Sequence, residues 1–165
     1  MSWISWLLWG FVATIVLTTI MAASLGLRLT RMSLPYLLGT LFTPSRDRAK
    51  VIGILVHMLD GWIFSLIYVA AFHAWGGPTW WRGVAIGFVH AVFVLTAGME
   101  AIPALHPRMA SEHHGPEEPR RLEPPGFLGL HYGVQTPVVI LVAHLAFGAV
   151  LGVFYDPEMT PLFFT

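Results

Sequence analysis

Four long apolar runs, separated by shorter stretches that collect nearly all the polar residues, dominate the pattern along this chain. They cover about Trp3 to Leu27, Lys50 to His73, Arg82 to Leu105 and Pro137 to Tyr155. Each is close to the roughly 20 residues that cross about 30 Å of hydrocarbon as a helix. The pattern therefore predicts an all-α membrane fold, one transmembrane helical-bundle domain over residues 1–165 with helices at about 3–27, 50–73, 82–105 and 137–155. The fourth run carries its own start signal, with Thr136 as N-cap and Pro137 at the first helical position, where a missing N–H costs little. No Lys or Arg precedes Trp3, and no small-residue cleavage site follows the first run, so a retained helix is expected rather than a secretory signal.

The basic residues orient the runs. Arg28, Arg31, Arg46, Arg48 and Lys50 lie between the first and second, and Arg108, Arg120 and Arg121 between the third and fourth; the opposite side has Arg82 alone. By the positive-inside rule these two longer loops face the cytoplasm and both termini face outward. Trp3, Trp6, Trp9, Trp75, Trp80 and Trp81 gather at the outer boundary as an aromatic belt. Residues 32–43, MSLPYLLGTLFT, are apolar but too short to span and are interrupted by Pro35, which predicts a segment lying in the headgroup interface. Residues 106–126, rich in Pro, Glu, Arg and His, predict a solvated loop.

The two halves repeat motifs in the same order. Gly10-Phe11-Val12 recurs as Gly87-Phe88-Val89, Arg31-Met32 as Arg108-Met109, and Pro35 to Gly39 as Pro125 to Gly129. His57, Gly61, Ser65 and Tyr68 recur as His144, Gly148, Gly152 and Tyr155, and the four offsets are 77, 77, 90 and 87. This predicts a duplicated helical hairpin, with parallel repeats related by an axis along the membrane normal. At 100° per residue the four positions of the last motif share a stripe of about 80°, and its small residues allow close helix approach. Gly61, Ser65, Gly148 and Gly152 are thus expected to pack the second helix against the fourth.

Composition agrees: 56% of residues are hydrophobic and 11% charged, against roughly 25% charged in soluble domains. With no cysteine, disulfides, thiolate zinc sites and cysteine-ligated iron–sulfur clusters are excluded. A net charge of zero gives no electrostatic case for nucleic acid. The phrases LGLRLTRMSLPYLLGTLFTPSRDRAKVIG, HPRMASE, LEPPGFLGLHYGVQTP and AHLAFGAVLGVFY resemble an uncharacterised family of small bacterial integral membrane proteins. The resemblance implies a cytoplasmic-membrane protein and no particular reaction.

Ionisable groups at membrane depth carry the candidate chemistry, because they are costly in lipid. His57 and His144 each lie seven residues past Lys50 and Pro137, about 10 Å deep, and Glu100 lies about 9 Å in from His106. These three form an expected layer. Asp60 and His90 are expected to meet near the midplane. Such a set could ligate a divalent metal or a haem, or relay protons; in the plainer alternative each histidine donates to a neighbouring carbonyl, hydroxyl or carboxylate and fixes packing. The sequence requires no cofactor. Glu112, His113, His114, Glu117 and Glu118 form a further cluster with metal-ligand residue types, read as a solvated acidic loop. His131 and Tyr132 are read as interfacial anchors. No catalytic motif appears. A structural or accessory subunit of a membrane complex stands first, with the lipid bilayer and other membrane subunits or a homo-oligomer as partners; a ligand-handling bundle built on His57, Glu100 and His144 comes second and a transporter third.

Overall fold

The computed structural model describes residues 1–110 and 122–159. Among the described residues four helices are long and apolar enough to cross a membrane: Trp3–Gly26, Arg46–Ala74, Trp80–Leu105 and Thr136–Phe154. In chain order the elements are α1 (Trp3–Gly26), the short α2 (Leu34–Thr40), α3 (Arg46–Ala74), α4 (Trp80–Phe93), a π-helical turn Val94–Gly98, α5 (Met99–Leu105), a 3-10 segment Phe127–Tyr132 and α6 (Thr136–Phe154). The end of the bundle near Arg46 and Thr136 is called the basic end, and the other the tryptophan end.

Local chemistry sets several boundaries. The Ser2 hydroxyl caps α1 by accepting from the Ser5 N–H, and Thr79 caps α4 by accepting from the Arg82 N–H. The expected cap at Thr136 is corrected: α6 begins at Thr136 itself, with Pro in its first turn. The Thr136 hydroxyl instead meets that of Thr30 at 2.8 Å, fully buried, and so ties α6 to the chain leaving α1.

The helices do not pack as the repeat predicts. α6 is the most enclosed of the four spans, followed by α1. α6 lies against both α4 and α1, while α1 also packs on α3; α3 touches α4 and α6 only marginally. The glycine stripes are packing surfaces, as expected, but the second and fourth spanning helices do not share them. Gly61 of α3 meets Thr14 of α1, and Gly148 of α6 meets the backbone of Gly83 in α4. α3 and α6 are held apart by long side chains, chiefly Tyr68 against Phe147, whose rings lie 5.2 Å apart at 67°.

The segments at the basic end are more ordered than their composition suggests. α2 folds back on α3 so closely that a Cβ on Gly39 or Gly53 would strike the carbonyl of Ala49 or Pro35. The expected solvated loop 106–126 is corrected at both of its described ends: His106 and Met109 are buried, Met109 bridges to Leu122, and Pro125 is fully enclosed. Tyr132 is buried and donates its hydroxyl to the Glu123 carbonyl at 2.6 Å, while the exposed His131 donates from Nδ1 to the Pro124 carbonyl at 3.0 Å. Glu112, His113, His114, Glu117 and Glu118 lie outside the described residues.

Candidate functional site: an intramembrane histidine cluster

Two of the five expected polar residues, His90 and His144, are brought into contact. His57 on α3 and His144 on α6 are buried and His90 on α4 is half-buried in the apolar bundle, and His90 and His144 meet. The His90 and His144 rings lie 4.6 Å apart, nearly perpendicular. Glu100, by contrast, is exposed on α5, so the expected His57–Glu100–His144 layer does not form. The expected Asp60–His90 meeting is also corrected. Asp60 is half-buried and makes no ion pair among the described residues, and His90 faces Tyr68. Glu100 follows the fully buried Ala91 by nine residues, about 180° round a regular helix, which puts it off the buried face.

Helix packing explains the convergence. A Cβ on Gly87 would strike the carbonyl of His144 and one on Gly83 that of Gly148. The α4–α6 crossing is therefore backbone on backbone, and it brings His90, three residues beyond Gly87, onto the His144 ring. His90 is walled on its other side by Phe64, stacked at 4.3 Å and 25°. Its Nδ1 shares a hydrogen bond of 3.1 Å with the Tyr68 hydroxyl.

Each imidazole has a different hydrogen-bonding state. His144 is 6% exposed, and its Nδ1 lies 2.8 Å from the Ile140 carbonyl, one turn back on its own helix. A carbonyl only accepts, so in the neutral ring Nδ1 carries the proton and the Nε2 lone pair is free. His57 is equally buried, but its Nδ1 has no hydrogen-bond partner, the only buried side-chain nitrogen or oxygen so placed among the described residues. Leaving such an atom unmatched costs about 1–3 kcal/mol. The plainer alternative, each histidine tied to a neighbour, holds for His90 and His144 and fails for His57.

Tyr68 was assigned only to the packing stripe, although it lies eleven residues beyond His57 on the same face of α3. Its pairing with His90 needed the α3–α4 contact, which carries no sequence signal. Further toward the tryptophan end His73 Nε2 and the Tyr155 hydroxyl meet at 3.3 Å. Toward the basic end a small cavity of about 10 Å³ abuts His144, lined otherwise by Leu17, Met21, Met32, Leu34, Val94, Met99 and Ile140.

Among the described residues no group of three or more His, Asp or Glu side chains is arranged to hold a metal ion. The geometry thus gives no support to the two-histidine, one-carboxylate metal set. Comparison with protein-family models, with curated proteins and with solved structures finds no match to this chain.

Proposed function

We propose that the chain is a multi-pass membrane protein that handles protons inside the bilayer, with His57, His144, His90 and Tyr68 as the exchanging groups. In this reading the basic end faces the cytoplasm and both termini face outward, supported by the eight-to-one distribution of Lys and Arg. The membrane is the bacterial cytoplasmic membrane, as the sequence resemblance implies. The duplicated hairpin belongs to the same reading; the order of the four matched motifs supports it, and the two halves have since diverged in packing.

The observation that carries the proposal is the unmatched Nδ1 of His57. Polar side chains that merely join membrane helices satisfy their hydrogen bonds. A buried nitrogen kept without a partner is available to take up or release a proton, and an imidazole can receive at one nitrogen and release from the other. His144 and then His90 and Tyr68 continue the line toward the tryptophan end. Intramembrane ionisable residues of pumps and transporters form relays of this type.

A structural or accessory role makes the opposite expectation for one measurement. Purified chain reconstituted into liposomes with an enclosed pH dye, and driven by a potassium diffusion potential, should acidify or alkalinise the lumen faster than protein-free vesicles. His57→Gln should lower that rate at least tenfold while leaving the melting temperature in detergent within a few degrees. A wild-type rate equal to that of protein-free vesicles, or a rate untouched by His57→Gln, returns the chain to the structural reading.

A further inference from the structure

Asp60 is the middle residue of α3, which runs Arg46–Ala74, and so lies at the depth where a carboxyl group is most costly in lipid. It is only half-buried, and no hydrogen bond or ion pair among the described residues reaches its carboxyl. The Lys and Arg residues all lie near helix ends or in connecting segments, so no span offers it a cation at matching depth. Ionisable side chains in membrane helices face a bundle interior or pair with one another. In a single copy of the chain Asp60 does neither.

Asp60 also sits in a stripe that the rest of the chain leaves open. Val56, Asp60, Ile63, Ile67 and Ala70 are spaced alternately by four and three residues, the repeat of a helix that packs lengthwise on another. At 100° per residue they share a face of about 80°. Ile63 and Ile67 are 60% and 56% exposed, Ala70 is exposed, and Val56 is half-buried. The neighbouring helices take other parts of α3. α1 packs on Gly61 and Ser65, α2 on Ala49 and Gly53 nearer the basic end, and Phe64 turns to His90 of α4. Exposed apolar side chains are ordinary against lipid; a carboxyl at the centre of a regularly spaced apolar stripe is not.

We propose that this stripe is a homodimer interface, along which α3 of a second copy packs and the two Asp60 carboxyls hydrogen-bond to each other. Copies of one chain insert with one orientation, so two α3 helices run parallel. A twofold axis along the membrane normal then sets each residue on the axis opposite itself, at equal depth. Asp60 thereby meets the partner's Asp60 with no cation required: one carboxyl donates its O–H and the other accepts. A lone polar residue in an apolar seam fixes register and helix number, and hydrogen bonds between polar side chains join helices within membranes. The interface is separate from the histidine cluster and does not depend on proton movement.

The test reads association alone. Full-length copies labelled with donor or acceptor dye at the C-terminus and reconstituted into liposomes should show energy transfer that falls as lipid is added. Asp60→Val keeps the stripe apolar but removes the hydrogen bond, and should weaken association by roughly tenfold. Asp60→Asn, whose amide both donates and accepts, should retain it. Because Asp60 has no partner within its own chain, both variants should melt within a few degrees of wild type in detergent. The chain contains no cysteine, so a single introduced thiol reports contact cleanly. Ile63→Cys should form a disulfide-linked dimer on mild oxidation, whereas Leu55→Cys, 61% exposed on another side of α3, should not. The proposal is overturned if wild type stays monomeric at every lipid ratio, if Asp60→Val associates as tightly as wild type, or if the two thiols crosslink equally. It is overturned equally if Ile63→Cys in native membranes crosslinks only to a different protein, which would give the stripe to a foreign helix.

Discussion

The two helical hairpins use glycine for close approach in opposite ways. In the first, α1 and α3, glycine faces side chains. Gly10 sits under the Ser65 hydroxyl and the Trp62 ring, and Gly61 under Thr14. Polar side chains then bind the pair: Trp6 Nε1 donates to the Ser65 hydroxyl at 2.8 Å and Trp62 Nε1 to the Leu7 carbonyl at 2.9 Å. In the second, α4 and α6, glycine faces backbone. Gly83 meets Gly148, Gly87 meets His144, and Gly152 meets Thr79. The registers differ too, since Gly10 lies opposite Ser65 while its sequence counterpart Gly87 lies opposite His144, not Gly152. A twofold exchanging the hairpins would also turn the α1–α6 contact into an α4–α3 contact, yet the first is extensive and the second marginal. Similar motifs have been put to different uses: the first hairpin is glued by hydrogen bonds, and the second is pressed together to build the histidine cluster.

The sharpest way to break this contrast is at Gly148. In Gly148→Leu the new side chain must displace the Gly83 backbone and also the Tyr68 ring, which a Cβ alone would approach to 3.2 Å. Overpacking typically costs about 1–3 kcal/mol, and a backbone neighbour that cannot rotate away puts this variant at the top of that range. The same change at Gly26 has open space around it and should leave the melting temperature nearly unaltered. Gly133 is a poorer control, because its φ of +130° strains any larger residue regardless of packing. Equal melting temperatures for Gly148→Leu and Gly26→Leu would remove the backbone-on-backbone crossing from the account.

A smaller effect separates the hairpins directly. Gly61→Ala collides with Thr14, whose hydroxyl donates to the Gly10 carbonyl at 2.7 Å. The obstacle is a side chain, so it can be removed. Gly61→Ala should cost roughly 1–2 kcal/mol, and Thr14→Ala combined with it should recover most of that loss. Gly148→Ala should cost more, and no single side-chain truncation should rescue it. A double-mutant cycle on detergent stability reads the coupling. Absence of coupling between positions 14 and 61 would erase the distinction between the two hairpins.

The sequence carried the parts of this architecture that depend on local pattern. Apolar run length is read along one segment, so all four spans were legible, with α3 beginning four residues before its expected start because Arg46 and Arg48 extend it at the basic end. The burial of His57 and His144 followed from cost in lipid and from the small residues sharing their faces. The errors lie where rotation or partner choice decides. Glu100 fails because depth along a helix does not fix rotation about it: nine residues past the buried Ala91, it lies about 180° round the helix from that face. The partner of a glycine stripe is similarly silent, since the stripe states that something comes close and not which helix. Tyr68 and the methionine-lined cavity are products of three-helix packing, so only their buried position along each helix was foreseeable.

The smallest expected effect concerns the place where the halves grip each other. α2 belongs to the first half, and its lock, His106, follows α5 in the second. His106 is 2% exposed; its Nε2 donates to the Leu37 carbonyl at 3.1 Å, and its Nδ1 accepts from the Arg108 N–H at 3.1 Å. Both nitrogens are thereby used in the neutral form, and a proton on Nδ1 would point at a donor. Burial lowers the affinity of His106 for a proton from its ordinary 6.5; the Leu37 hydrogen bond raises it and the Arg108 charge lowers it again, leaving a net decrease. The sign follows: the unfolded chain takes up the proton first, so this contribution is complete above 6.5 and is lost as pH falls from there through the lowered folded value. Hydrogen exchange at the α2 amides, corrected for its intrinsic pH dependence, should therefore speed up modestly between about pH 7 and 5. The amides of the α4–α6 crossing should hold their protection over the same range, and His106→Gln should flatten the α2 response. An α2 whose corrected exchange is independent of pH in the wild-type chain would show that His106 is not the lock.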